Sequence, residues 1–372
     1  MGLNNKVIVF GCNHQNMLGL VRSLGEKGVH PYCILLKSKE GMVFSSKYPF
    51  AKVWVESPEA GLDYIVNYFS SETVKPILLS SDDMTETLFD KNASTLREHF
   101  IVPASSEDGR LTQLMDKQNI GALAKKHGFI IPAMHVMKKG DQLPRELSFP
   151  VFTKSVKSID GGKNEERKCN NATELEKALK ESRSGELLVQ QFIDKKDEID
   201  LIGFVANGEV FMPYIQHQMR FSDHAYGGYH RFDKVVVDSP LYRQVLALLK
   251  EIDFQGLFSV EFLVDKSGSW FFTEVNFRHD GHTYLLTPGG VNIPWLYCEA
   301  VTTGAFHCDL SRAKDPIIGM NEYVDISQFV KTGKISILKW LRQFATADSH
   351  TLWNWRDPAP AFHYIKNLLF KR

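Results

Sequence analysis

A chain of 372 residues exceeds one ordinary hydrophobic core and is sized for two or three domains. With 43% hydrophobic and 24% charged residues it is a folded globular protein, and 44 basic residues balanced by 44 acidic ones give no general affinity for nucleic acid. No run of 18 apolar residues offers a transmembrane segment, and five scattered cysteines without a CxxC, behind an N-terminus lacking a signal-peptide pattern, read as a reduced, cytoplasmic chain.

The chain opens with "KVIVFG", "NMLGLVRSLGEKG" and "HPYCILL", a strand, a helix and a strand of a parallel α/β unit. "KPILLSSDDMTETLFDKN" repeats the pattern and ends its strand in polar Ser80, Ser81, Asp82 and Asp83. Ligands of open α/β sheets sit beyond the carboxyl ends of strands, which makes this edge a candidate acceptor surface. Gly11 is followed by Cys12, Asn13 and His14 rather than GxGxxG, which argues against nicotinamide chemistry.

From "DGRLTQLMDKQNIGALAKKHGFIIP" the pattern predicts a helix with Lys117 near its start, a stop at Gly128 and a strand ending at Pro132. "FPVFTKSVKSIDGGKN" is a short apolar strand carrying Lys154, then a polar link and the pair Gly161–Gly162. No P-loop motif occurs, yet glycine backbone N–H groups beside Lys154 can approach phosphate oxygens; a plain hairpin turn is the alternative. "NATELEKALKES" is a helix capped near Asn171, and "ELLVQQFI" is a buried strand that becomes polar. Glu198 in "KKDEID" is either an acceptor for two ribose hydroxyls or part of a solvated charge run. A hairpin turns at Asn207–Gly208. "QMRFSDHAYGGYHRF" reads as a loop or lid, whose Arg220 and Arg231 suit a substrate carboxylate or a nearby acid. "LYRQVLALLKEI" is again a helix.

"GLFSVEFLVDKSGSWFFTEVNFRHDGH" reads as two strands around a Ser267–Gly268 turn, which sets Asp265 opposite Trp270, Leu263 opposite Phe272 and Glu261 opposite Glu274. Directly opposed like charges are destabilising. Alternation places Trp270, Phe272, Glu274, Asn276 and Arg278 on one face. A hard divalent cation with oxygen ligands resolves the repulsion, and the Arg278 fork can then meet phosphate. A solvated face whose acids meet lysines elsewhere is the plainer alternative.

Taken in order, Lys117 in "LMDKQNI", "FPVFTKSVKSIDGGK", "LVQQFIDKKDEIDL" and "SVEFLVDKSGSWFFTEVNFR" resemble the ATP-grasp superfamily, over roughly Asp108 to Ala305. The resemblance implies an α/β (α+β) protein: a parallel pre-ATP-grasp domain over 1–107, a first lobe with the phosphate-covering loop over 108–189, a second lobe with the adenine, metal and substrate site over 190–305, and a mostly helical tail over 306–372. It implies ATP and Mg2+ (or Mn2+). Lys117 and Lys154 would contact phosphates, with Ser158, Gly161, Gly162 and Lys163 in the loop over them. Gln190, Gln191 and Ile193 would line the adenine, and Glu198 would meet the ribose. Glu261, Glu274 and Asn276 would hold the metal, and Arg278 with Lys154 would act on the transferred phosphate.

The reaction implied is carboxylate–amine ligation through an acyl phosphate, as in D-aspartate ligase, L-amino acid ligases and carbamoyl-phosphate-synthetase-like proteins. A bicarbonate-using carboxylase and an ATP-binding module without turnover are the alternatives. Phe277 and His279 stand where many relatives carry proline and a small residue, which leaves the acceptor open: small-molecule carboxylate and amine substrates, including a cell-envelope or glycan precursor, with a homodimer allowed. His279 and His282 read as surface histidines in a loop, bystanders first and, as the alternative, groups that bind substrate or relay the amine's proton.

In the tail, "ISILKWLRQF" and "FHYIKNLLFKR" mix aromatics and leucines with lysine and arginine at helical spacing. Such segments either pack on the core or lie at a membrane interface or on a partner.

Overall fold

Val7 and Val9 of strand β1 (Val7–Cys12) enter one buried cluster, while Ile8, Phe10 and Cys12 enter another. Burial on both faces is the condition of a parallel sheet covered by helices. β1 pairs in parallel with β2 (Tyr32–Leu36) and β4 (Ile77–Ser80), and β3 (Ala51–Trp54) completes the order β3-β2-β1-β4. The structure, a computed structural model, describes residues 3–36, 41–144, 147–156, 165–183, 185–221 and 227–370.

β5 (Ala104–Ser105) leads to the helix Lys117–Lys126, which stops before Gly128 in the left-handed region at φ +82°. The strand expected to end at Pro132 is a single bridge at Ile130; the strand proper, β6 (Met134–Lys138), begins beyond the proline, which has no N–H to give a ladder. β6, β7 (Val151–Lys154), β8 (Arg167–Cys169) and β9 (Glu186–Gln191) form an antiparallel sheet in the order β6-β9-β7-β8. The helix Ala172–Glu181 covers it, and Asn171 caps that helix by accepting the Glu174 N–H at 3.0 Å.

The largest sheet runs β14-β13-β10-β11-β12-β15-β16, from β10 (Lys195–Ala206), β11 (Glu209–Gln218), β12 (Tyr229–Lys234), β13 (Phe254–Asp265), β14 (Trp270–Asn276), β15 (Ile317–Met320) and β16 (Ser349–His350). Asn207 and Gly208 turn the β10–β11 hairpin with φ of 52° and 78°, the two positive values a type I′ turn needs. The tail carries the expected helices, Ile337–Thr346 and Ala359–Phe370, and also two strands: β15 pairs with β12, and β16 with β15. "YHRF", expected in a loop, is the start of β12.

The β13–β14 register matches expectation at one point and departs at another. Glu261 does face Glu274, but Leu263 faces Phe271, and Val264, not Asp265, faces Trp270. The turn uses three residues, closed by the Asp265 N–H donating to Ser269 O, with Gly268 at φ +93°. A bulge at Thr273 then supplies a one-residue offset of the opposite sense. The two offsets cancel at the acids and flip Phe272 into the core, where it meets Phe262 and Phe129 at centroid distances of 5.8 and 5.5 Å.

Arg22, on the helix Gln15–Gly25, fastens the C-terminal segment. It is fully buried, its Nε lies 3.1 Å from Asp357 Oδ2, and it donates to Thr351 O, Leu352 O and Asp357 O at 2.8, 3.1 and 2.8 Å.

Candidate active site

Val260, Phe262 and Val264 turn one face of β13 into the core, so Glu261 points the other way, opposite Glu274. β10 lies on the other side of β13 and sets Asp200 against Glu261. Asp280, just past β14, is a fourth acid.

Cations frame this cluster. Asp116 caps the helix Lys117–Lys126 by accepting N–H groups of Gln118 and Asn119 at 2.8 and 3.2 Å, which brings Lys117 Nζ to 3.3 Å from Glu274 Oε2. Arg278 donates through Nε to Asp83 Oδ1 at 2.8 Å and through Nη2 to Asn276 Oδ1 at 2.9 Å, and its Nη1 stands 3.8 Å from Asp280 Oδ2. Asp83 opens the helix after β4, so this pair joins the parallel sheet's carboxyl edge to the hairpin. Asn276 donates to Glu261 Oε1 at 2.6 Å and Ser259 Oγ at 3.1 Å.

Burial, Glu274 and Asp280 push the Glu261 carboxyl well above the ordinary carboxylate range. Burial presses the same way on Glu274, but Lys117 and Lys154 outweigh it and hold that carboxyl low. Burial, Glu261 and Asp280 raise Asp200. One member of the opposed pair therefore stays charged against the lysines, while its partner keeps a proton and leans on Asn276.

A stability profile tests that division. A carboxyl whose folded pKa is raised contributes its full stability below its ordinary value of 4.5 and loses it as the pH climbs toward about 8. The melting temperature of the ligand-free protein is expected to fall over that interval, and to fall less in Glu261→Gln. Parallel profiles for the two proteins would place the proton elsewhere.

Lys154 ends β7 and acts on both Glu274 and Lys195. Gln190 is buried in β9 and Ile193 just beyond it; the Gln191 N–H donates to Ala133 O at 2.8 Å. Glu198 is paired with Lys195, whose pKa burial and Lys154 push down to about 8. Ser158, Gly161, Gly162 and Lys163 lie outside the described residues. Of the two lid arginines, Arg220 pairs with Asp325 and Arg231 grips Asp233 at 2.7 Å, so each meets an acid of the chain itself.

The histidines are not surface bystanders. His279 is fully buried against Gly19 of the first helix, and burial pushes its pKa down to about 3. His282 Nδ1 lies 3.3 Å from Asp280 Oδ1, and its ring centroid lies 4.2 Å from that of buried His230, the two rings tilted by 43°. At the sheet edge, ligand-type atoms of Cys12, His14 and Asp82 gather within 4.8 Å, with Asp82 accepting the Cys12 N–H at 2.7 Å and the Thr85 N–H at 3.0 Å.

The sequence did not reveal Asp200, Asp280 or Lys195 as members of the cluster. Period-two alternation in "DEIDL" does place Glu198 and Asp200 on one face, the available signal for Asp200. That β10 neighbours β13 is a long-range fact, which no local pattern carries.

No protein-family model matches the sequence, and comparison with curated proteins finds no relative. Solved structures do match. An L-amino acid ligase from Bacillus licheniformis superposes with TM-score 0.63 at 16% identity, over 81% of this chain and 75% of that one. An N5-carboxyaminoimidazole synthetase from Staphylococcus aureus complexed with ADP gives 0.66 at 14%, over 86% and 83%. A biotin carboxylase from Campylobacter jejuni in complex with an ATP analogue gives 0.63 at 17%, over 84% and 74%. Two lysines, an opposed acid pair and an arginine converge where an antiparallel hairpin meets a parallel sheet edge, and the chain has the ATP-grasp fold.

Proposed function

We propose that the chain is an ATP- and Mg2+-dependent carboxylate–amine ligase. The observation that carries this is the half-buried Glu261–Glu274 pair with Asn276 beside it, set between Lys117 and Arg278. Two carboxylates and an amide oxygen are the ligand set of a hard cation. This donor set fits a metal here, and burial together with the facing Glu274 raises the Glu261 carboxyl, a cost that a cation between the acids would offset. Asn276 gives its oxygen to Arg278 and its amide to Glu261, and would hold the metal together with the two carboxylates. A bound Mg2+ would supply charge neutralisation for phosphoryl transfer.

The chain's own groups hold and orient. Lys117 and Lys154 would neutralise ATP phosphates, and Gln190, Gln191, Ile193 and Glu198 would take adenine and ribose. Arg278, fixed by Asp83, would face the transferred phosphoryl group. A substrate carboxylate oxygen attacks the γ-phosphorus, the bond to ADP breaks, and the acyl phosphate forms. An amine nitrogen then displaces phosphate and gives up its proton, leaving the amide. Positioning and charge supply the catalysis, and no nucleophilic side chain is required.

A coupled screen for ADP release over pairs of amino acids and small carboxylates is expected to find a pair that depends on both components. No ADP with any pair would remove the proposal. The biotin carboxylase and carboxyaminoimidazole synthetase likenesses favour one second reading, with bicarbonate as the carboxylate. Turnover that requires added bicarbonate and yields an N-carboxylated product separates the two. ATP binding without release under every condition would indicate a module that does not turn over.

A further inference from the structure

Residues 331–372 hold eight lysines and arginines and only two acids, in a chain whose totals balance at 44 each. Both acids are turned inward, Asp348 onto Lys314 and Asp357 onto buried Arg22. Lys331, Lys339, Arg342, Arg356 and Lys366 are exposed. Large apolar side chains of the same segment are exposed as well: Leu338 is 76% exposed, Trp355 84% and Phe362 60%. No residue of the helix Ile337–Thr346 is buried. At 3.6 residues per turn, Ile337, Leu338 and Leu341 share its outward arc, half-buried Trp340 and Phe344 form one margin, and Arg342 and Lys339 follow one another beyond the other.

We propose that this surface docks on an anionic lipid membrane, with the apolar arc at the headgroup boundary and the basic side chains against lipid charge. The physical case is charge complementarity. An apolar arc flanked by unopposed cations suits an interface that is apolar below and negative above. A second copy of the chain suits it less, because a two-fold contact would set each cationic surface against its own duplicate. Among the described residues no helix is long and apolar enough to cross a membrane, so the contact lies in the interface plane. Nothing in this depends on the ligase proposal.

Co-sedimentation of the full chain with vesicles tests it. Vesicles of phosphatidylcholine with phosphatidylglycerol are expected to capture the protein, and pure phosphatidylcholine to leave it in solution. Raising salt from about 0.05 M to about 0.5 M should release it, because the attraction is screened over a shorter distance. The double substitution Leu338→Glu, Leu341→Glu falls on exposed positions; it should keep the melting temperature and weaken capture at least ~10-fold. Equal capture by neutral and anionic vesicles overturns the proposal, as does no capture at all. A wild-type dimer that the double substitution turns into a monomer, with no vesicle binding by either, assigns the face to a second copy and likewise overturns it.

Discussion

Glu274→Gln is expected to lower turnover by ~10²–10³-fold while the protein stays folded, the scale seen when one stabilising group is removed from a charge-developing centre. The substitution withdraws a proposed metal ligand and the carboxylate that Lys117 meets at 3.3 Å. Two stability effects oppose each other. Relief of the like charge facing Glu261 contributes a few tenths of a kcal/mol only above about pH 8, where Glu261 gives up its proton. Taking from the mostly buried Lys117 the carboxylate it meets at 3.3 Å costs about 1–3 kcal/mol, and this term wins. The opposed acids taken alone favour a more stable variant, and the lysine beside Glu274 reverses the sign. Adding Lys117→Met should recover the stability but not the activity. Normal ligation by Glu274→Gln would show that the hairpin acids hold no metal.

Arg22→Met is expected to destabilise the whole fold by about 3–5 kcal/mol, the range for breaking a buried ion pair and stranding its partner. Asp357 would lose the guanidinium and keep only Ser46 Oγ at 2.9 Å and the Lys47 N–H at 3.0 Å. The backbone oxygens of Thr351 and Leu352 would lose their donors as well. Urea unfolding measures this directly, and a loss under about 1 kcal/mol would show that the C-terminal segment is held by other contacts.

What was legible in the sequence was what is settled locally. The alternation of "VIVFG", the Asn171 cap and the Asn207–Gly208 turn each commit the backbone within a few residues, and each forms as expected. β15 and β16 were not legible, being four and two residues long and existing through pairing with a strand far away in sequence. The acids and lysines of the site were visible one by one. Their convergence was not, because Asp200, Lys117 and Asp83 reach the hairpin from three separate segments. Arg22 gave no sign either, since a lone arginine in a helix reads as a solvent-facing charge until its partner 335 positions away is placed beside it.

The bulge at Thr273 leads to one further consequence. Had the hairpin closed on a two-residue turn with no bulge, Glu261 would still stand opposite Glu274, whereas Leu263 would oppose Phe272 in place of Phe271. The acid pair is thus invariant under exchange of the two registers, and the apolar residues are not. The unbulged alternative would turn Phe272 away from Phe262 and Phe129 and offer Thr273 to the interior instead, a poor trade for an aromatic ring. Chemistry is therefore indifferent to the choice of register, and selection between the two falls to packing.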